Sequence, residues 1–456
     1  MAVFSQTPRR VIFIGAAGEM CRIAIDLFAK ASTAPLVLAD INEALLEQVA
    51  STLPAGRATT CKLDLFDPAA LRETIQGAGL VVLGAGPYSR TSAPVLEACL
   101  EGKVPYLDYD DDVESTQAAL ELNERAKKLG VPCYIGCGAS PGMSNVMVMD
   151  AVKDLDTVDT IEIFWWVGDE RGGGTGKAVL EHFLHIASGP CLTWVDGKPK
   201  INESFVETAY APLIPGHSEV LLHETAHPEP ITLPRLFPKT TRIRCLGGVD
   251  PLPVNGIARG IGSAVRTGAL PMKDAVDFLF DLMNKPPSTD GWTAAIGALK
   301  HELRGGEISL NELLQLASHA ADSLSPWYYG VSGMIEQVRR GELSTFHLLS
   351  FLVNSARGKT ETLRSGLMAR AVGTRNGAPA TACRRIPTTG KDSFLGKSMG
   401  AVTGASTAAF MIMALEQASQ KHVGGVFSPE DWAEPATFYK TLERLGCPKL
   451  EIVETI

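Results

Sequence analysis

The stretch that decides the fold is Val11 to Asp40, VIFIGAAGEMCRIAIDLFAKASTAPLVLAD. Val11 to Ile14 is a β-branched and aromatic run, of the kind that fills a strand buried on both faces of a parallel sheet. Gly15-Ala16-Ala17-Gly18 then turns the chain with almost no side-chain bulk. Ile23 to Ala31 follows with helical spacing, Leu36 to Ala39 is a second strand, and Asp40 stands at its end. Strand, glycine turn, helix, strand and acid make the layout of a βαβ unit that binds a dinucleotide. Small residues let a pyrophosphate reach the backbone, and the helix N-terminus meets it with free N–H groups. A carboxylate about twenty residues beyond the glycines is placed to accept hydrogen bonds from a ribose. The fingerprint is imperfect. Read as G-x-G-x-x-G, it has Ala17 and Met20 in glycine positions; with one more spacer, Cys21 takes the last. The candidate cofactor contacts here are Gly15, Ala17, Gly18, Glu19, Met20 and Asp40.

Outward from this unit the alternation continues. Ala44 to Ser51 reads as an amphipathic helix, and Thr59 to Leu65 as a third strand. Asp64, at its end, is a candidate for the adenine edge, and Asp67 before Pro68 reads as a helix N-cap. Leu80 to Leu83 is a fourth strand. It runs into Gly84-Ala85-Gly86-Pro87-Tyr88, a turn without bulk at the carboxyl end of the sheet, where ligands of such sheets bind. A nicotinamide ribose can rest on that backbone, with Tyr88 lining the reaction site. After a helix from Pro94, Tyr106-Leu107-Asp108 is a fifth strand. Asp108 and Asp110 are expected to face the cleft, and Asp111 and Asp112 to form a solvated helix start. A long helix over Ser115 to Lys128 and a sixth strand over Val131 to Gly136 complete the series.

Gly138-Ala139-Ser140-Pro141-Gly142-Met143-Ser144-Asn145 then enters a helix. With VIFIGAAGEMCR, VLAD, LDLFD and VVLGAGPYS before it, this run resembles the saccharopine dehydrogenase-like (saccharopine reductase) family. His227 to Arg235, HPEPITLPR, and Gly425 to Glu430, GVFSPE, are similar to later family segments. The resemblance implies an α/β protein. It has a Rossmann doubly wound parallel sheet over 1–137, completed by about 400–456, and a central α/β substrate and dimerisation domain over 138–399. It also implies NAD(P)-linked formation or oxidation of a C–N bond at an amino acid carbon. A fold of this kind hosts other chemistry. Reduction of a C=C or C=O bond and a non-catalytic dinucleotide-binding role therefore stand as alternatives.

The central region carries its own motifs. Thr160 to Val167 is strand-like, and Arg171 to Lys177 nearly spells a phosphate-binding P-loop. Arg171 replaces its first glycine and Ala178 its hydroxyl residue, so a P-loop is not expected. Arg171 and Lys177, with Ser140, are instead candidates for holding a substrate carboxylate. His182 and His185 share one helix face, and His185 joins Tyr88 and Asp110 as a catalytic acid–base candidate. His223-Glu224-Thr225-Ala226-His227 spells HExxH, which serves zinc only on a helix. Pro228 and the strand-like Val220-Leu221-Leu222 argue against that, and no metal is expected. A helical insertion over about 286–355, apolar in places, shapes either a large pocket or a dimer surface.

The chain has 456 residues, 20% charged and 45% hydrophobic, with a net charge of −9. The charge argues against nucleic acid and anionic membrane as partners. Nine scattered cysteines without a CxxC pair suit reduced thiols. A cytoplasmic homodimer acting on a small molecule is expected. The most apolar stretch, Ala401 to Leu415, reads as too short and too polar for a membrane span. Asp40 followed by Ile41 favours NAD over NADP, because a 2′-phosphate would meet a carboxylate; Arg22 is the cation able to offset it.

Overall fold

The buried apolar runs read from the sequence form the centre of a seven-stranded parallel sheet in this computed structural model, which describes residues 9–168, 176–284, 310–357, 363–418 and 423–456. Its strands are β1 (Val11–Ile14), β2 (Leu36–Asp40), β3 (Ala58–Lys62), β4 (Leu80–Leu83), β5 (Tyr106–Asp108) and β6 (Pro132–Tyr134). A seventh strand from far along the chain, Gly425–Phe427, adds in parallel beside β6. With β15 as that late strand's place in chain order, the sheet runs β15-β6-β5-β4-β1-β2-β3. All four residues of β1 and of β4 are buried, as a strand covered by helices on both faces requires. The order reverses beside β1, so the ends of β1 and β4 open a crevice.

The second sheet is mixed and has nine strands. Its members are β7 (Thr157–Val167), β8 (Pro190–Val195), β9 (Lys198–Glu203), β10 (Thr208–Ala211), β11 (Val220–Glu224), β12 (Arg242–Val249), β13 (Gly366–Arg375), β14 (Ala378–Arg385) and β16 (Glu454–Thr455). β7 lies at the centre, parallel to β12 and antiparallel to β13. HExxH begins on β11, so His223 and Glu224 lie on a strand, where successive side chains leave on opposite faces.

Several boundaries differ from the sequence reading. The helix expected from Pro94 starts at Tyr88 and carries Pro94 inside it, which puts Tyr88 on the first turn. The helix expected over Ser115 to Lys128 is two, Val113–Glu121 and Asn123–Leu129. The apolar helix is longer than Ala401 to Leu415: it spans Met399–Ala418. By length and composition it is the one helix among the described residues able to cross a membrane, and 83% of its apolar window is buried inside the protein. It packs along the helix Glu19–Ala31, and Thr407 donates to the carbonyl of Cys137 at 3.0 Å. Of the helical insertion, Leu310–Arg339 and Thr345–Ala356 are described. They turn Trp327, Tyr328, Phe346 and Leu349 outward to solvent.

Candidate active site between the two sheets

The glycine turn has the shape a dinucleotide needs. Gly15 has φ +84°, and a Cβ there would lie 2.6 Å from the backbone nitrogen of Ala85. Gly18 precedes the helix Glu19–Ala31 with no side-chain cap on the free N–H groups. Asp40 is held beside the turn, accepting from the N–H of Ala17 at 3.1 Å and of Asn42 at 2.9 Å. A Cβ on Gly84 would lie 2.2 Å from Cys21 Sγ and 2.4 Å from the Tyr109 hydroxyl. Packing from below thus excludes a side chain at Gly84, and the floor from Gly84 to Pro87 carries only the small side chains of Ala85 and Pro87. Asp64 is exposed and accepts from the N–H of Phe66 at 2.9 Å, leaving its second oxygen outward.

At the end of that floor a set of proton-bearing groups is buried. Tyr88 packs edge-to-face on Tyr109, with ring centres 5.8 Å apart, and its hydroxyl has no hydrogen-bond partner. Burial holds it un-ionised, well above the usual tyrosine range. Asp108 accepts from the Tyr106 hydroxyl and the Gly136 N–H, each at 2.7 Å. Asp110 accepts from Ser92 at 2.8 Å. These partners are hydroxyl and amide groups, which do not cancel a charge. Burial raises Asp108 to about 6. Burial and then the charge of Asp108 push Asp110 well above the carboxylate range. The two carboxyls titrate as a coupled pair, both raised by burial.

A helix does start at the acidic run, with Asp112 at its N-cap, but that start is not solvated. Asp112 is buried, accepts from the Ser89 N–H at 3.0 Å, and lies 3.4 Å from His182 Nδ1. His182 Nε2 is 2.9 Å from Asp111. Burial alone would raise Asp112, but the two histidines reverse this and leave it lowered. Burial would lower His182, and the two acids more than offset it, so it lies well above its ordinary value. His185 stands one turn on, 3.3 Å from Glu114, and that contact raises it. Asp111, Asp112, Glu114, His185 and Ala226 line a narrow crevice between the sheets. His185 is thus part of an ion-paired seam, one step from Asp110 through Asp112. Lys177 is committed elsewhere: its ammonium pairs with Asp277 and lies 5.3 Å over the ring of Phe280. Arg171 lies outside the described residues.

A second buried polar group gathers at Ser140, a substrate-binding candidate from the sequence, whose partners Ser144, Asn145, Glu229 and Glu430 the residue-by-residue reading missed. Ser140 donates to Glu229, and Ser144 donates to the same carboxylate oxygen at 3.1 Å. Asn145 accepts from the Gly142 N–H and donates to Glu430 at 2.8 Å. Burial raises Glu430 to about 7. Burial would raise Glu229 too, but His227 and Ser140 reverse the sign. His227 lies under Trp165, ring centres 5.4 Å apart, with Cys245 near. His223 is far from this group in function: it stacks on Phe205 and faces Glu342 at 3.5 Å. The available signal was two glutamates flanked by prolines inside apolar segments, quoted above only for their resemblance.

A family profile described as the saccharopine dehydrogenase NADP-binding domain matches residues 11–133. The N-terminal domain is a dinucleotide-binding domain similar to that profile. Apo saccharopine dehydrogenase (L-Glu forming) from Saccharomyces cerevisiae superposes on this chain with a TM-score of 0.60. That match covers 98% of this chain and 100% of the yeast protein at 14% identity, and shows the shared fold. The chain is also 27% identical over 183 residues to carboxyaminopropylagmatine dehydrogenase from Synechocystis sp. (strain ATCC 27184 / PCC 6803 / Kazusa). The match covers 38% of this chain and 44% of that protein, so the chain spans under half the length of the curated relative it matches.

Proposed function

We propose that this chain is an NAD(P)-dependent oxidoreductase that reduces an imine, or oxidises the matching amine, on an amino acid or opine-like substrate. One observation carries the reading: a floor of small residues, Gly84 to Pro87, ends against buried proton carriers at Tyr88, Asp108 and Asp110. The names of the two relatives, both dehydrogenases, agree with the C–N chemistry that the resemblance implies. A pocket poor in acids would have favoured the C=C or C=O alternative; the described lining holds several carboxyls.

The residues fit a dinucleotide. The uncapped backbone N–H groups of Glu19 and Met20 at the helix start would hold the pyrophosphate, Asp40 the adenosine ribose, and Gly84 to Pro87 the nicotinamide ribose. When bound, the nicotinamide supplies or accepts the hydride. The chain holds the reacting carbon against the floor, and the rings of Tyr88 and Tyr109 keep water from it. Tyr88 and the Asp108–Asp110 pair hold the proton that amine nitrogen gains or loses. Asp40 supports NAD, since it repels a 2′-phosphate; Arg22 and Lys62 are the nearby cations that would favour NADP.

The test is nicotinamide absorbance with NADH and NADPH in turn, against 2-oxo acids paired with amines and against unsaturated or simple carbonyl compounds. Turnover confined to the amine pairs supports the proposal. Turnover confined to the carbonyl or alkene set moves the reading to the first alternative. Tight dinucleotide binding with no hydride transfer to any acceptor moves it to the non-catalytic one.

A further inference from the structure

His227, Glu229, Cys245 and Ser140 come from three separate segments and meet at one buried point. Cys245 lies in the middle of β12, paired in register with Ile163 of β7. The strand β11 continues past its end far enough for the Thr225 N–H to donate to the Cys245 carbonyl at 3.1 Å. That contact returns His227 and Glu229 over the cysteine. Ser140, on the loop after β6, reaches in from a distant part of the chain and places its hydroxyl 3.9 Å from Cys245 Sγ. Donor atoms of His227, Glu229 and Cys245 all lie within 4.8 Å of one another.

Two of these donors are unsatisfied. His227 Nδ1 and Glu229 Oε2 are buried, without a hydrogen-bond partner, and face each other at 3.5 Å, too far for a good hydrogen bond. Unpaired buried polar atoms are costly and uncommon. Imidazole nitrogen, carboxylate oxygen and thiolate sulfur form the donor set of a borderline divalent cation, and such a set favours zinc over calcium or magnesium. The Trp165 ring covers His227, and Ser144 and Ser140 hold the opposite carboxylate oxygen. The ligand orientation is thus supported from behind.

We propose that His227, Glu229 and Cys245 bind a zinc-class divalent cation, with the fourth position open to the Ser140 hydroxyl or a substrate atom. The site is independent of the oxidoreductase reading. The cation joins the loop after β6 to the central sheet. The other clustered acids, Asp111 and Asp112, already share His182 in direct contacts and are the control.

The experiment is a Co²⁺ titration of the chelator-treated full chain, followed by visible and near-ultraviolet spectra. About one ion per chain is expected, with tetrahedral d–d bands and a thiolate charge-transfer band. C245S is expected to remove the thiolate band. H227Q is expected to weaken binding by on the order of 100-fold or more, beyond what losing a supporting residue costs. D111N should leave both unchanged. Zinc X-ray absorption on the wild-type protein needs no variant, and should show one sulfur among nitrogen and oxygen neighbours. A wild-type chain that binds no Co²⁺, a bound ion without sulfur, or binding that C245S keeps and D111N loses overturns the proposal.

Discussion

On the central sheet, Glu162 of β7 sits between Arg244 of β12 and Arg370 of β13, accepting from them at 2.8 and 2.7 Å. At the end of the parallel sheet, Asp108 and Asp110 are as deeply buried, and their partners are hydroxyls and N–H groups. The registers explain the first arrangement, since Glu162 is directly paired with both arginines. Glu224 is treated likewise, by Arg242 at 3.3 Å and Asn202 at 2.7 Å. One region pairs its buried charge; the other leaves it uncancelled, and burial raises its carboxyls above the usual carboxylate range. Uncancelled titratable groups in a crevice are what proton transfer needs, and paired ones are what a scaffold tolerates.

The sharpest way to break that contrast is to neutralise one carboxyl in each region. Asp110→Asn should lower turnover by about 10²- to 10⁴-fold and leave the denaturant midpoint near wild type, because an amide keeps the bonds to Ser92 and Asp112. Equal turnover for this variant would remove Asp110 from the chemistry. Glu162→Ala should do the reverse. It leaves two arginines facing each other and should cost about 3–5 kcal/mol in urea unfolding, with little change in turnover per folded molecule.

The pH dependence of stability sharpens the same point. Burial raises folded Asp108 from 3.8 to about 6, so its protonated form is the one the fold favours. Its contribution is full below pH 3.8 and is lost as pH rises through about 6. Glu430 behaves alike, from 4.5 to about 7. Thermal midpoints should fall across that window, by an amount worth on the order of 1–3 kcal/mol per group. Glu430→Gln should flatten the upper part. A midpoint that rises from pH 4 to 7 in the wild type would contradict the assignment.

Histidine at the seam runs later on the scale. The raised His182 value means that its pairing with Asp111 and Asp112 is fully present below pH 6.5 and is lost above it, as pH passes its higher folded value. His182→Gln should therefore lower the midpoint by about 1 kcal/mol at pH 6 and by less at pH 9. Smallest of all is Lys177→Met. With its ammonium on Asp277 at the surface, KM and kcat should stay at wild-type values. A raised KM for acidic substrates alone would return Lys177 to the cleft.

Local chemistry was enough for the first domain. The stretch Val11 to Asp40 carries strand, turn, helix and acid within one βαβ unit, and the contact from Ala17 to Asp40 is made inside that unit. Asp67 as an N-cap is equally local: it accepts from Ala69 and Ala70. Lys177 and Asp112 misled for the converse reason. A lysine after glycines reads as an anion site and an aspartate in an acidic run as solvated, and only Asp277 and His182, from other elements, decide where those charges go.

What the sequence by itself determined is the parallel sheet, its turns of small residues and the acids at the ends of β2 and β5, because short-range sterics and hydrophobic periodicity dictate them. What only the tertiary structure decided is which polar groups meet. Ser140, Asn145, His227, Glu229, Cys245 and Glu430 lie up to 290 residues apart in the chain, and no local periodicity encodes their meeting. The packing of the central sheet on the parallel one brings them together and removes water from them, so each takes its partners from distant segments.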